Sequence, residues 1–371
     1  MGIYSVLIVP FAAAGIALIL FPHKIKWWEA VLPLFVAMVT VVAAKAIGEN
    51  MATRDSEFWG GWVITSHYFE DWDEYIHKTC SREHCTGSGK NRSCTTEFYD
   101  CSYVDYHPER WELRDSNGQT HSISKNEYNR IVDRFNMRPV FKDMRRHYHS
   151  NDGDSYWVSW DGSNSKLAPV FTLHNYENRV AASNSVFNYR YISEKEAVAK
   201  GLFSYPKVVS LLDFPSVLGN CGPETNAVNK LLQFYNARMG RDKQIRMWLL
   251  CTDSKDPGFG QDQESYWFGG NKNEVVLVKG DGWVHLFSWA DNKTPLIETR
   301  NFIAEQEKWN ATEAVDFMAK AMRDSFVRKE FADFSYLAVD TPFWCVALAW
   351  IITLLTNVGL CWWSVVNEYR D

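Results

Sequence analysis

The sequence predicts a layered α/β domain, preceded by a β-rich subdomain stapled by disulfides, with three transmembrane helices holding both to a membrane. Three observations carry this. Three stretches are long and nearly uncharged; four of the eight cysteines fall between Cys80 and Cys101; and from about residue 206 helical and strand patterns alternate.

The apolar stretches cover residues 2–21, 27–47 and 342–366, beginning GIYSVLIV, WWEAVLPL and PFWCVALA. A bilayer core needs roughly 20 apolar residues as helix, and in lipid a helix is the one single segment that satisfies its own backbone polar groups. The short loop between the first two spans carries His23, Lys24 and Lys26, and short lysine-rich loops stay cytoplasmic. This places the N-terminus outside, the large domain outside and the tail NEYRD inside. Trp27–Trp28 and Trp362–Trp363 then both fall at the inner interface. Lys45, Arg54, Arg323, Arg328 and Lys329 flank the domain and pull the other way, but long domains cross largely regardless of charge. The first span has no basic leader and no small-residue cleavage site after it, so it reads as retained.

Outside the spans about 290 residues remain, enough for one large or two ordinary cores. The net charge of −6 offers no basic field for nucleic acid. Aromatic content is high, at 15% with 17 Trp.

Residues 57–205 read as the β-rich, extracytoplasmic subdomain. EFWGGWVITSHYFEDWDEYIHKTC is one long strand signal, and the turn-rich TGSGKNRS separates Cys85 from Cys94. Folding this as a hairpin sets Cys85 opposite Cys94 and Cys80 roughly opposite Cys101, giving two cross-strand disulfides in an oxidising compartment. A four-cysteine zinc site is the rival, although only the first pair has the tight spacing such sites favour. Cys221 and Cys251 stand alone, and Cys345 and Cys361 lie in the third span. Asn117–Gly118 marks a hairpin turn. KNEYNRIVDRF follows as a helix with Ser124 as N-cap and Glu127 completing a capping box. DSYWVSW and VFNYRYI complete the strands. The acidic run Glu70, Asp71, Asp73 and Glu74 reads as a solvated turn rather than a glycosidase pair.

Two strings imitate motifs. GSGK lacks the phosphate loop's glycine, where His84 stands, and its Ser or Thr, where Asn91 stands. In HYHSNDGD, His147, His149, Asp152 and Asp154 have a metal-like spacing that ordinary turn chemistry explains equally.

Residues 206–335 read as the α/β domain. A helix opens after Pro223 and ends at Gly240; QIRMWLLCTDS is a buried strand. The loop SKDPGFGQDQ leads to a short helix ESYWFGG, then to strands NEVVLVKGDG and WVHLFSWA. IAEQEKW is helical, and Asn310 caps a final helix ATEAVDFMAKAMRDSF.

This order resembles the TPM domain, the family of thylakoid-lumen, photosystem-repair and receptor-modulator proteins, over residues 210–331. Asp213, Val217 and Leu218 match its leader, Gln244 to Thr252 its first strand, Trp267, Gly269 and Gly270 its helix end, and Asn273 to Val278 its second strand. Where the family has Asp-Asn-Gly before that strand, this chain has Lys272, Asn273 and Glu274. The resemblance implies a membrane-anchored domain outside the cytoplasm and, as in some relatives, a metal-assisted phosphatase. A Ca²⁺ or Mg²⁺ site would then draw Asp253, Asp256, Asp262 and Asp281 from loops at the carboxyl ends of the strands.

No Ser-His-Asp motif, metalloprotease helix or nucleotide loop is present, and no residue is assigned a catalytic role. The leading expectation is a membrane-anchored interaction or accessory module, whose partners are the lipid bilayer and another membrane or envelope protein. The alternatives are the TPM-type hydrolase and a glycan or envelope binder.

Overall fold

The computed structural model describes residues 2–20, 27–87, 92–144, 153–183, 189–208, 210–212 and 214–368. A 3-10 turn over Ile3–Leu7 leads into α1 (Ile8–Leu20), and α2 spans Trp27–Thr53. A run of strands follows: β1 (Arg54–Phe69), β2 (Trp72–Ile76), β3 (Thr79–Thr86), β4 (Ser93–Asp100), β5 (Tyr103–His107), β6 (Arg110–Asp115) and β7 (Thr120–Ile123). Then come α3 (Lys125–Phe135), β8 (Val140–Lys142), β9 (Ser155–Ser159), β10 (Pro169–Glu177), α4 (Arg179–Ala182) and α5 (Glu194–Lys200). The α/β half holds β11 (Val217–Gly219), α6 (Thr225–Lys243), β12 (Arg246–Cys251), α7 (Gly258–Tyr266), β13 (Glu274–Gly280), β14 (Trp283–Ser288), α8 (Thr294–Glu305) and α9 (Ala311–Ser325). The chain closes with α10 (Phe343–Glu368).

Among the described residues two helices, not three, are long and apolar enough to cross a membrane: Val31–Thr53 within α2 and Phe343–Leu360 within α10. The segment expected as the first span forms a shorter apolar helix behind its 3-10 turn. Pro10 supplies a reason. It has no N–H to bond back into the preceding turn, a loss that costs least in the first turn of a helix, and α1 starts at Ile8 two residues before it. α2 runs past the expected end at residue 47 to Thr53. Ile3, Val6, Val41, Val346 and Ala349 form the seam among the three apolar segments. Small residues let the backbones approach: a Cβ on Gly48 would lie 2.9 Å from Thr341 and 3.1 Å from Cys345 Sγ. Elsewhere α2 and α10 expose Phe35, Met38, Val42, Ile351, Leu355 and Val358, a continuous apolar exposure suited to lipid.

The folded region holds two principal sheets. One has the order β7-β6-β1-β9-β8, with β10 paired to the first half of β1. The other has the order β11-β12-β13-β14, parallel except for the antiparallel β14. β12 is buried at every residue and β13 at all but Lys279, which accounts for their unbroken apolar text; a parallel sheet covered on both faces has no solvent side to alternate toward. One core cluster joins Phe171 and Ile192 from the first half to Phe214, Trp248 and Val276 of the second, so the two halves share packing across the boundary near residue 205.

Local expectations fare unevenly. The capping box of Ser124 and Glu127 is present, the Asn117–Gly118 turn joins β6 to β7 with Gly118 at φ 84°, and Asn310 caps α9 through Thr312 and Glu313. α6 does not stop at Gly240 but continues to Lys243, with Gln244 in the left-handed region as its C-cap. Gly240 serves a close crossing with β1 instead. Of IAEQEKW only the first three residues are helical, as the end of α8. The expected strand VFNYRYI lies partly outside the described residues, and its remainder, 189–192, is irregular. The histidines and Asp152 of HYHSNDGD, the residues Ser88, Gly89, Lys90 and Asn91, and Asp213 also lie outside the described residues.

Candidate functional site

Two places collect the chemistry. The first is an arm. β2 pairs with β5 and β3 with β4, each as a separate two-stranded antiparallel ribbon, so residues 72–107 run out and back as one extended hairpin. Cys80–Cys101 and Cys85–Cys94 staple it as expected. Glu83, Cys85 and Cys94 come close enough to imitate a metal group, but both sulfurs are spent in the disulfide. Nearly all of β3, β4 and β5 is exposed, including Phe98, Tyr99, Tyr103, Val104 and Tyr106. At the base of the arm the acidic run is engaged rather than idle. Asp71 accepts from Tyr106 Oη at 3.2 Å, and Glu74 pairs with His107 at 2.9 Å. His107 stacks on Trp72, with ring centroids 4.2 Å apart. Burial, then the hydrogen bond from Tyr68 Oη to Glu109 at 3.2 Å, push the Tyr68 phenol up to about 12.

The second place is a cavity of about 370 Å³ at the carboxyl ends of β11, β12 and β13, where open α/β sheets bind ligands. Asp253 and Asp281 both border it, with Lys279, Trp309 and the Cys221–Cys251 disulfide. Lys279 Nζ lies 5.4 Å from the Trp309 ring centre, and burial holds its amine below the ordinary lysine range. Asp281 lies 3.9 Å from Lys255, and its backbone N–H donates to the Ser254 carbonyl at 2.9 Å. Asp256 and Asp262 have other employment. Asp256 Oδ1 accepts from the Gly258 N–H at 2.8 Å at the start of α7. Asp262, on α7, is held by Lys200 at 2.6 Å and Arg190 at 3.1 Å. The four aspartates therefore do not form one carboxylate cluster; two of the four share a cavity.

Two features escaped the sequence reading. Cys221 and Cys251 do not stand alone: Gly219 pairs with Cys251 across the parallel strands, which brings Cys221 within bonding reach two residues on. Only knowledge of that pairing would have found the bond. The other is a buried charge cluster in which Arg328 bonds Glu57, and Lys272 lies 3.9 Å from the same carboxylate. Burial pushes the Glu57 carboxyl up, against the opposing pull of Arg328.

Comparison of the chain with protein-family models, with curated proteins and with solved structures finds no match.

Proposed function

We propose that the chain is a membrane-anchored accessory module, its folded region outside the cytoplasm, that engages another membrane or envelope protein through the stapled arm. The arm is the observation that carries the reading. An extended ribbon with this many exposed aromatic side chains exceeds what a free surface needs, and two disulfides stiffen it at no demand on a core. Aromatic anchors on a rigid element are what protein recognition uses. Three disulfides further support an oxidising compartment, and α1, packed against α10, supports a third membrane-inserted segment. The orientation rests on Lys24 and Lys26, so a reporter fused after Asp371 is expected to behave as cytoplasmic.

A photo-crosslinking residue at Phe98 or Tyr106 in intact cells is expected to give one discrete adduct, and the adduct at Tyr106 is expected to disappear when the arm is cut back to a short turn at residues 77–102. The same probe at the equally exposed Tyr191 is expected to give none. Adducts of equal yield at all three positions would overturn the reading.

A second reading, a TPM-type metal-assisted hydrolase, is favoured by the placement of Asp253 and Asp281 on one cavity at the strand ends. A higher melting temperature with Ca²⁺ or Mg²⁺ than with chelator, abolished in Asp253→Asn, is its test; identical melting would remove it.

A further inference from the structure

A polar recess beside the membrane helices lies where α2 passes into β1. The cavity, about 530 Å³, is lined by Glu49, Asn50 and Thr53 from the last two turns of α2, Arg54 at the start of β1, Asn175 and Glu177 of β10, and Arg179 of α4. Its depth follows from the helices. In the first turn of α10 Trp344 is exposed, and Trp362 and Trp363 are exposed near the other end, roughly 27 Å away at 1.5 Å per residue. The same rise separates the start of α2 at Trp27 from Lys45, roughly 27 Å, and Lys45 bonds the Tyr4 hydroxyl at 3.2 Å. These two spacings match the hydrocarbon thickness, with Tyr4, Lys45 and Trp344 at the interface on the domain side. Glu49 and Thr53 then lie one to two turns further out, in the headgroup layer.

The charges lining this recess balance: two guanidiniums against two carboxylates. Arg179 is already tied to Glu177 at 2.7 Å and donates to the Leu337 carbonyl at 3.1 Å. Glu49 lies 3.6 Å from Lys45. Arg54 is exposed, and its guanidinium has no ion pair among the described residues. A free guanidinium beside the Asn50 amide suits a phosphate, and Glu49 and Glu177, whose ion pairs with Lys45 and Arg179 run through Oε1 and leave Oε2, suit a cation bound to that phosphate through a short linker. A purely anionic headgroup would leave the two carboxylates opposed to it. A quaternary ammonium would want an aromatic cage, yet the one aromatic residue here, Tyr176, already has Lys272 over its ring at 4.4 Å.

We infer that this recess binds the headgroup of a phospholipid carrying a phosphate and a primary ammonium, of the phosphatidylethanolamine class. The inference rests on the membrane-anchored reading above, and not on the arm. The test uses the full-length protein in detergent, stripped of lipid and given phosphatidylethanolamine, phosphatidylcholine or phosphatidylglycerol, with retained lipid measured by native mass spectrometry. One phosphatidylethanolamine is expected to be retained about tenfold more tightly than either competitor. Arg54→Gln is expected to weaken retention of all three lipids about tenfold and leave that margin in place, since all three carry the phosphate and one charge-assisted contact is worth about a factor of ten. Glu177→Gln is expected to narrow it toward phosphatidylglycerol. Equal retention of the three lipids, or undiminished retention of phosphatidylethanolamine in Arg54→Gln, overturns the inference. Alkaline extraction of native membranes separates the two failures: a protein that washes off sinks the anchored reading, whereas one that stays without lipid preference sinks only this site.

Discussion

Gly60 and Gly240 touch backbone to backbone where β1 crosses α6: a Cβ on Gly240 would lie 2.5 Å from both the Cα and the N of Gly60. A Cβ on Gly60 would in turn run into the Asn236 carbonyl. The crossing seats the bent strand of the first sheet directly on the longest helix of the α/β half, and Asn273 reinforces it by donating to the Phe58 carbonyl at 2.9 Å.

Gly240→Ala is therefore expected to destabilise the fold although it improves the helix. Alanine gains about 1 kcal/mol over glycine inside a helix, but overpacking against immovable backbone costs about 1–3 kcal/mol and sometimes more. The second effect wins because neither partner is a flexible side chain. A chemical-denaturation midpoint lower than wild type checks this. Gly359→Ala in α10, where nothing lies within 4 Å of a new Cβ, is expected to change little.

The three disulfides should differ in consequence. Chain-entropy reasoning gives about 3–4 kcal/mol for the Cys221–Cys251 loop and about 2.5–3.5 kcal/mol for each bond in the arm. Cys221 and Cys251 belong to the buried core of the α/β half, whereas the arm is nearly all exposed. Cys221→Ser with Cys251→Ser is expected to lower the global melting temperature. Losing the arm bonds is expected to loosen residues 72–107 to protease and leave the main transition in place. Limited proteolysis and calorimetry on the two double variants distinguish these outcomes.

How much of this was legible depended on whether the signal was local. Ser124 and Glu127, Asn117–Gly118 and Asn310 act within a few residues, and each does what its type requires. Cys85 and Cys94 were readable because a hairpin register is itself local. Gly240 was misread because a glycine near a helix end has two uses, as a cap or as a crossing point, and the second depends on Gly60, far off in sequence. Cys221–Cys251 and the Glu57–Arg328 contact needed the parallel pairing and the return of the chain after α9. Asp262 looked like a ligand in a polar loop; it lies on α7, where Lys200 and Arg190 claim it.

Tyr68 offers a pH signature for the base of the arm. Its phenol, pushed up to about 12 by burial and by Glu109, stays neutral in the fold above the ordinary tyrosine value of about 10. The sign follows: the fold holds the proton that the unfolded chain gives up first. The stability this contributes is thus complete below about pH 10 and lost as pH rises toward 12. Phenolate absorbance is expected to lose one late component near 12 in Tyr68→Phe, and that component is expected to come earlier in Glu109→Gln. A Tyr68→Phe titration identical to wild type would contradict it.

Arg246 provides the sharpest test of the core. Its guanidinium is buried, 4.1 Å from the Phe214 ring centre, 4.3 Å from Trp248 and 4.4 Å from Phe171. One hydrogen bond reaches the Pro215 carbonyl at 2.8 Å, while Nε and Nη1 find no protein partner. Burial holds it down to about 10, so the charge survives at neutral pH at a cost that stacking on three rings offsets only in part. Glu274, its neighbour across the strands, does not depend on it, because Trp248 Nε1 donates to that carboxylate at 2.9 Å and the Asn271 N–H at 2.8 Å. Arg246→Met keeps most of the volume and removes the desolvated charge. It is expected to unfold within about 2 kcal/mol of wild type or later, whereas Arg246→Ala leaves a cavity and is expected to lose about 3–5 kcal/mol. For a base whose folded pKa is lowered, the penalty eases as pH rises above about 10, so wild type should gain on Arg246→Met there. Denaturation midpoints of the three proteins at neutral and alkaline pH decide it. An Arg246→Met variant as damaged as Arg246→Ala would mean that the buried cation holds the core together, and that the rings around it are its cage rather than its tolerance.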